Sequence, residues 1–279
     1  MIDKLSLLQD LSLRYCLDFF KNESARTTYT KNKKNLKNND IFLSSYPRSG
    51  NTWMRLMLAD CLLQASGIPT ETDLPVSLGQ VVPDIYRDDL DEIDDRLKST
   101  FRLIKTHEKY DRIGGFPHLV QPPKIIYLFR NPHQTLLSYS KFNKKDPDRF
   151  CAIALSEWCK NIQTHIRAKQ LESKDILLIS YECLKENPVD TLTRVLNFTG
   201  LSLDSSMVSQ AVENHSSQKH QLKGWKGYPS DTRPNRFSQG QTVTKNELLP
   251  ETVQLIESKG KSLYDRAKQL ELQDMDSED

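Results

Sequence analysis

The sequence predicts an α/β fold in which one central parallel sheet carries helices on both faces. Three observations lead there. Short apolar runs at 41–43, 124–130 and 176–180 have the length and character of buried strands. Each precedes a segment with helical apolar spacing, and strands alternating with helices build parallel sheets. The third is a strand, small-residue turn and helix in direct succession from 41 to 67. The 279 residues would suit one large α/β domain or two smaller ones. No internal repeat is present, so one domain over 1–279 is the simpler reading.

Composition narrows the class. With 37% hydrophobic and 27% charged residues the chain reads as soluble and globular. A net charge of +2 gives no reason to expect nucleic acid or a membrane as partner. The five cysteines (16, 61, 151, 159, 183) are odd in number and scattered, which suits a reducing, cytoplasmic compartment better than a disulfide framework or a zinc site. No apolar run reaches membrane-spanning length, and Asp3, Lys4, Gln9 and Asp10 interrupt any leader core.

Taken in order, residues 3 to 20 carry Leu5, Leu8, Leu11, Leu13, Cys16, Phe19 and Phe20 at roughly helical spacing and predict an amphipathic helix. Residues 21 to 40 are polar, with Lys31, Lys33, Lys34 and Lys37 and no apolar period. They read as a solvated linker that completes an N-terminal helix-and-linker segment over 1–40. Ile41 to Arg55 is IFLSSYPRSGNTWMR, an apolar strand and then a polar turn at 45–52. The helix WMRLMLADCLLQ follows, stopping near Gly67 with Pro69 beyond. That geometry aims backbone N–H groups and a helix N-terminus at a phosphate. Arg48 adds a fork of donors, and Ser49 and Thr52 add hydroxyls. Asn51 stands where a nucleotide hydrolase would carry lysine after Gly50, which argues against that class. An ordinary strand-to-helix turn with a surface arginine would share the spacing.

Residues 67 to 100 read as irregular and hold seven acidic side chains between Asp84 and Asp95. Such a run is either a solvated face or a mouth that steers a cationic ligand. FRLIKTHEKY (101–110) passes from a short strand into a polar turn, placing His107 where α/β sites lie. A histidine there is structural or functional. KIIYLFR (124–130) reads as a central strand, and Pro132 suits the first turn of the next helix, with Ser138 nearly two turns along it. Phe150, Ile153, Ala154, Trp158, Ile162 and Ile166 mark the buried side of a helix over 150–170. ILLIS (176–180) is a strand ending at Tyr181. A further helix opens at Asn187-Pro188 and stops at Gly200. Residues 223–234 form a Gly/Pro-rich loop. The final helix covers Glu251 to Leu270, and 271–279 is expected to be a frayed acidic tail.

Four of these segments together resemble one family. YPRSGNTW (46–53) is similar to the 5′-phosphosulfate loop of sulfotransferases that use 3′-phosphoadenosine 5′-phosphosulfate (PAPS), written Tyr-Pro-Lys-Ser-Gly-Thr-Thr-Trp. It departs at Arg48 and Asn51. Lys105-Thr106-His107 resembles the family's Lys-Thr-His, and Arg130-Asn131-Pro132 with Ser138 resembles its 3′-phosphate motif. ISYECLKENPVDTLTRVLNFTGL resembles the segment whose tyrosine lies by the adenine. The resemblance spans about 41 to 200. The family's C-terminal Arg-Lys-Gly-x-x-Gly-Asp-Trp-Lys is replaced by NRFSQGQTVTKNELLPE, where only Arg236 is carried over.

The resemblance implies transfer of a sulfuryl group from PAPS, as co-substrate, to a hydroxyl or amine of a small molecule, with no metal. It implies His107 as general base, with Lys105 and Arg48 stabilising charge. Arg48, Ser49, Gly50, Asn51, Thr52, Trp53, Arg130, Ser138, Tyr181 and Arg236 would hold the nucleotide. Trp53 would stack on adenine, or serve as a core aromatic. Two other readings stay open: a non-catalytic nucleotide-binding protein and a kinase-like phosphotransferase. A cationic acceptor follows if the acidic run lines the mouth. Neither the acceptor's identity nor the oligomeric state can be read from the sequence.

Overall fold

The computed structural model describes residues 23–69, 77–110, 124–171, 175–215 and 247–276. Four strands, β1 (Ile41–Ser45), β2 (Leu103–Thr106), β3 (Lys124–Phe129) and β4 (Ile176–Ser180), form one sheet in the order β2-β1-β3-β4. Every pairing is parallel, with Leu43 lying between Lys105 and Ile126, and Tyr127 opposite Leu178. The helices are α1 (Glu23–Lys34), α2 (Asn51–Ala65), the short α3 (Leu78–Val81), α4 (Pro132–Phe142) and α5 (Pro147–Leu171). They continue with α6 (Tyr181–Glu186), α7 (Pro188–Thr199), α8 (Ser205–Asn214) and α9 (Pro250–Asp276).

Period-2 alternation along the strands divides the core in two. Phe42, Ile104, Tyr127, Phe129 and Leu178 pack with Leu136 and Leu137 of α4, Leu155, Trp158 and Ile162 of α5, and Ile256 of α9. Leu43, Leu103, Ile126, Leu128 and Ile179 pack with Met54, Leu58 and Leu62 of α2, Leu192 and Val195 of α7, and Val208 of α8. Burying each such side chain stabilises the fold by about 1.5–3 kcal/mol. Both faces are covered, as a parallel sheet requires. Helix boundaries follow local chemistry. Asn131 caps α4 by accepting the N–H groups of His133 and Gln134, with Pro132 at the first position. Gly200, at φ 81°, ends α7.

Three expectations need correction. The segment 21–40 is not a solvated linker, because α1 fills much of it. Asn32 is buried and donates to the carbonyls of Ile85 (3.0 Å) and Asp88 (2.8 Å), while its Oδ1 accepts the Leu90 N–H (3.2 Å). Tyr29 stacks on Tyr86 at 5.2 Å. This helix is held by one buried amide and a ring pair, so it leaves no apolar period in the sequence.

The acidic run is a solvated face only in part: Asp91, Glu92 and Asp95 are exposed, whereas Asp84 is buried and Asp88, Asp89 and Asp94 are partly buried. Asp84 accepts from Lys105 (2.8 Å), Asp88 from the buried Arg55 guanidinium (2.8 Å), and Asp94 from Arg96 (2.6 Å). Lys31 of α1 reaches both Asp89 and Asp91. Apart from Arg96, two residues from Asp94, these cationic partners come from distant segments, which charge density along the chain does not show.

The tail is ordered through Asp276. Glu271 is fully buried and accepts the Ser180 N–H (2.7 Å) and hydroxyl (3.1 Å), and Lys169 pairs with Asp274 (2.8 Å). The predicted helix over 3–20, the loop over 223–234 and residues 277–279 lie outside the described residues. Helices α6 and α8 add to those expected, as does the short α3 within the stretch 67–100 that reads as irregular.

Two histidines, His165 buried and His107 half-buried, set a pH dependence. The His165 ring stacks on Tyr127 at 3.7 Å, with its Nδ1–H donating to the Asn161 carbonyl (2.8 Å). Burial pushes His165 from 6.5 down to about 3, and burial with Lys105 nearby does the same to His107. The unfolded chain protonates these rings near the ordinary value, while the folded one resists. Their contribution is therefore complete above about pH 6.5 and lost progressively as pH falls toward about 3. A His165→Phe variant keeps a ring against Tyr127 but cannot titrate. Its melting temperature should decline less steeply over that window than that of the wild type. Parallel declines would mean that His165 does not contribute.

Candidate active site

The turn between β1 and α2 is built on two left-handed residues, Arg48 at φ 72° and Gly50 at φ 96°. For arginine that backbone costs about 1–3 kcal/mol and persists only when its surroundings over-determine it. Here they do. The Arg48 carbonyl accepts from Arg130 Nη1 (3.3 Å), its Nε donates to Ser138 Oγ (3.1 Å), and its guanidinium lies 5.0 Å from the Phe142 ring. Gly50 has a second constraint, because a Cβ there would sit 2.7 Å from Tyr181 Cδ2.

Tyr181 follows β4 directly. The Arg130 guanidinium lies over its ring at 4.3 Å, and Trp53 meets it edge-on at 6.4 Å. Arg130 also donates from Nε (3.2 Å) and Nη2 (3.1 Å) to Gln134 Oε1, a neutral acceptor one helical turn on. Burial pushes its pKa down, opposed by Tyr181 and Glu182. Ser49 Oγ and Trp53 Nε1 are buried donors with no hydrogen-bond partner among the described residues. Leaving such donors unmet costs about 1–3 kcal/mol each. Two unmet donors, two guanidinium groups and a helix N-terminus converge here, a donor set suited to a phosphate-bearing ligand. Asn51 contributes differently. Its Nδ2 donates to the Leu43 carbonyl (3.2 Å) and Ser45 Oγ (3.1 Å), fastening the turn to the strand. Thr52 is half-buried on the first turn of α2.

His107 lies just beyond β2, with Nδ1 2.8 Å from the Ser45 carbonyl. Only a protonated Nδ1 can donate to a carbonyl, so that contact assigns the tautomer and leaves the lone pair on Nε2. With its pKa pushed down to about 3 the ring is neutral at neutral pH. Lys105 lies within β2, two residues earlier. Its Nζ is 2.8 Å from Asp84 Oδ2 and 5.9 Å from the Tyr86 ring centroid. Burial pushes Lys105 down while Asp84 opposes the shift. The ammonium is thus already bound to a carboxylate.

The β1 turn joins the groups. Its Ser45 carbonyl holds His107 and its Arg48 holds Ser138, contacts that span 62 and 90 positions of sequence. Arg236 lies outside the described residues. Four contributors escaped sequence reasoning. Gln134 carries a findable signal, its spacing of four from Arg130. Glu182 accepts the Asn131 N–H (3.1 Å), and its place after Tyr181 is a weaker hint. Asn161 donates to the His107 carbonyl (3.3 Å) and accepts from the Tyr127 hydroxyl (2.8 Å). Neither Asn161 nor Asp84 stands out in the sequence. Among the described residues no group of three or more His, Cys, Asp or Glu side chains is placed to hold a metal ion.

A family profile described as "Sulfotransferase domain" matches residues 38–254, a span that contains all of these groups. The chain belongs to the sulfotransferase family. Similar curated sulfotransferases include Sulfotransferase 6B1 of Danio rerio, 24% identical over 75% of this chain and 76% of that protein. Flavonol 3-sulfotransferase of Flaveria bidentis is 26% identical over 58% of this chain and 57% of that protein. Sulfotransferase 1A1 of Canis lupus familiaris is 28% identical over 63% and 64%. The alignments with the latter two thus span less than two thirds of those proteins. Among solved structures, mouse sulfotransferase SULT7A1 complexed with PAP superposes with a TM-score of 0.60 at 22% identity, covering 84% of this chain and 90% of that one. Retinol dehydratase in a complex with retinol and PAP gives 0.51 at 15% identity, covering 71% and 72%. At these identities the structures establish that the sulfotransferase shares their fold.

Gly50→Ala tests the turn. A Cβ strained by φ 96° and pressed against Tyr181 should lower stability by about 1 kcal/mol or more and weaken binding of 3′-phosphoadenosine 5′-phosphate (PAP). Thermal unfolding and calorimetry read the two effects. Wild-type values in both would show that the turn tolerates the side chain.

Proposed function

We propose that this sulfotransferase moves a sulfuryl group from PAPS to a hydroxyl or amine of a small-molecule acceptor, with His107 as general base. The observation that carries the reading is the meeting of His107 and Arg48 at one turn. The Ser45 carbonyl leaves Nε2 of His107 as a base, and three residues on an arginine is held among phosphate-suited donors. PAP in the two related structures supports PAPS as the donor. In this reading Ser49, Gly50, Asn51, Thr52 and Trp53 hold the 5′ end, and Asn51 does so through its backbone. Arg130 and Ser138 take the 3′-phosphate and Tyr181 lies by the base, with Arg236 as a further phosphate ligand. Ser138 accepts from Arg48 and still has its own O–H to donate.

The acceptor oxygen or nitrogen attacks sulfur as its proton passes to Nε2 of His107. The S–O bond to the 5′-phosphate breaks, and the electron pair leaves with that oxygen. Arg48 stabilises the charge without donating a proton, since guanidinium stays charged. Lys105 adds positive charge near the base. A cationic acceptor has little left to support it, because Asp84, Asp88, Asp89, Asp91 and Asp94 already face cations of this chain. Retinol and a flavonol, named with two relatives, are neutral hydroxyl compounds, and a hydroxyl acceptor fits best. Among the described residues no helix is long and apolar enough to cross a membrane. A cytoplasmic location is proposed from the cysteines, four of which are free thiols. Non-catalytic nucleotide binding remains a second reading, favoured by the replaced C-terminal motif. A kinase-like phosphotransferase lacks the Gly-Lys-Ser/Thr turn.

Three measurements follow. His107→Ala should lower kcat about 10²–10⁴-fold while PAP binds as before, and wild-type kcat would place the base elsewhere. Arg48→Ala should impair both PAP binding and turnover, with Arg48→Lys retaining activity; an Ala variant equal to wild type would remove Arg48 from the site. Calorimetry in the presence of chelator should show PAP binding more tightly than AMP. Equal affinities would leave Arg130 and Ser138 without a 3′-phosphate to hold.

A further inference from the structure

Asp84 is the one acidic side chain of its run that reaches the neighbourhood of the base. The backbone from Pro83 to Ile85 pairs with β2 at Lys105: the Lys105 N–H donates to Pro83 O (2.8 Å) and the Ile85 N–H to Lys105 O (3.1 Å). This pairing sets Asp84 directly beside Lys105. A second frame fixes its carboxylate. Asp84 Oδ1 accepts the Tyr86 N–H (3.1 Å), and Asp88 Oδ2 accepts both the Asp84 N–H (2.7 Å) and Arg55 Nη2 (2.8 Å). Arg55 is tied in turn to the Val82 carbonyl (2.6 Å). Asp84 Oδ2 then meets Lys105 Nζ at 2.8 Å, with both side chains largely removed from water. Lys105, within β2, is two residues before His107, and it is the charge that bears most on that ring.

We propose that Asp84 is a positioning residue for Lys105, its carboxylate holding the ammonium in place two residues before the base His107. The inference rests on the sulfuryl-transfer reading. The charges that bear on His107 are Lys105 and Arg87, which disfavour imidazolium, and Asp84, which favours it. Arg55 and Asp88 stand behind Asp84. Without the carboxylate, Lys105 would be a buried ammonium with no counter-ion among these groups, and such an ammonium gives up its proton more readily.

The test uses the full chain, PAPS and an acceptor turned over by the wild type. Asp84→Asn should lower kcat about 10²-fold, the scale of a misplaced catalytic group, and leave PAP affinity unchanged. The alkaline limb of its kcat profile should move to lower pH, because Lys105 now loses its charge sooner. Asp84→Glu should restore the limb but not the full kcat, since the longer arm displaces the ammonium. Asp84→Asn combined with Lys105→Gln should be no worse than Lys105→Gln alone. A merely structural Asp84 predicts a lower melting temperature with an unmoved pH profile and additive losses, and that result overturns the proposal. If the Asn variant does not fold, wild-type kcat in Asp84→Glu overturns it instead. Nitrogen-15 NMR of the Lys105 ammonium, read with PAP and no acceptor, separates this idea from the proposed function. A wild type that transfers sulfuryl to nothing would sink the function, while the lysine signal would still report whether Asp84 holds it.

Discussion

The left-handed turn at Arg48 is the constraint on which the rest of the site depends. A non-glycine residue at φ 72° is unfavourable by itself, and it stays there because β3 and α4 supply Arg130, Ser138 and Phe142 as fixed partners. The coupling runs both ways. Arg130 is anchored on the Arg48 carbonyl and Ser138 on the Arg48 side chain, so the two phosphate-suited regions are ends of one hydrogen-bonded unit. Disturbing either should be felt at both.

Electrostatics in this unit is governed by desolvation. The guanidinium groups of Arg48 and Arg130 meet hydroxyl, amide and carbonyl oxygens and aromatic rings. Lys105 is the opposite case. It is paired with a buried carboxylate, and its charge disfavours protonation of His107. A buried pair of this kind adds little net stability, yet removing one partner is costly because the other is left charged in a poor solvent. Position and protonation state, more than stability, are what such a pair secures.

The long C-terminal helix α9 serves the site from a distance. Its Glu271 accepts from the Ser180 N–H and hydroxyl, Lys268 donates to the same hydroxyl (3.0 Å), and that hydroxyl caps α6 by accepting the Cys183 N–H (3.1 Å). Tyr181 is the first residue of α6. These contacts of α9 therefore fix the ring that closes over Gly50, and the buried Glu271 anchors the helix past 270 although most of its neighbours there are exposed.

The sequence by itself determined the α/β class, the four strands, the phosphate-suited turn and the positions of Arg48, His107, Arg130, Ser138 and Tyr181. These are legible because each depends on local rules: apolar runs of strand length, proline at a helix start, glycine where φ is positive, and short motifs read in order. Tertiary structure decided what depends on partners far apart in the chain. Asn32 folds α1 by bonding to residues more than fifty positions away. Asp84 and Asp88 cease to be surface charge because Lys105 and Arg55 meet them. The amide of Asn51 turns toward β1, and Asn161 reaches His107 across the sheet face. The physical reason is common to all five. A polar side chain carries no periodic signature of its own, and whether it meets water, a ligand or a buried partner is fixed only when the chain brings that partner to it.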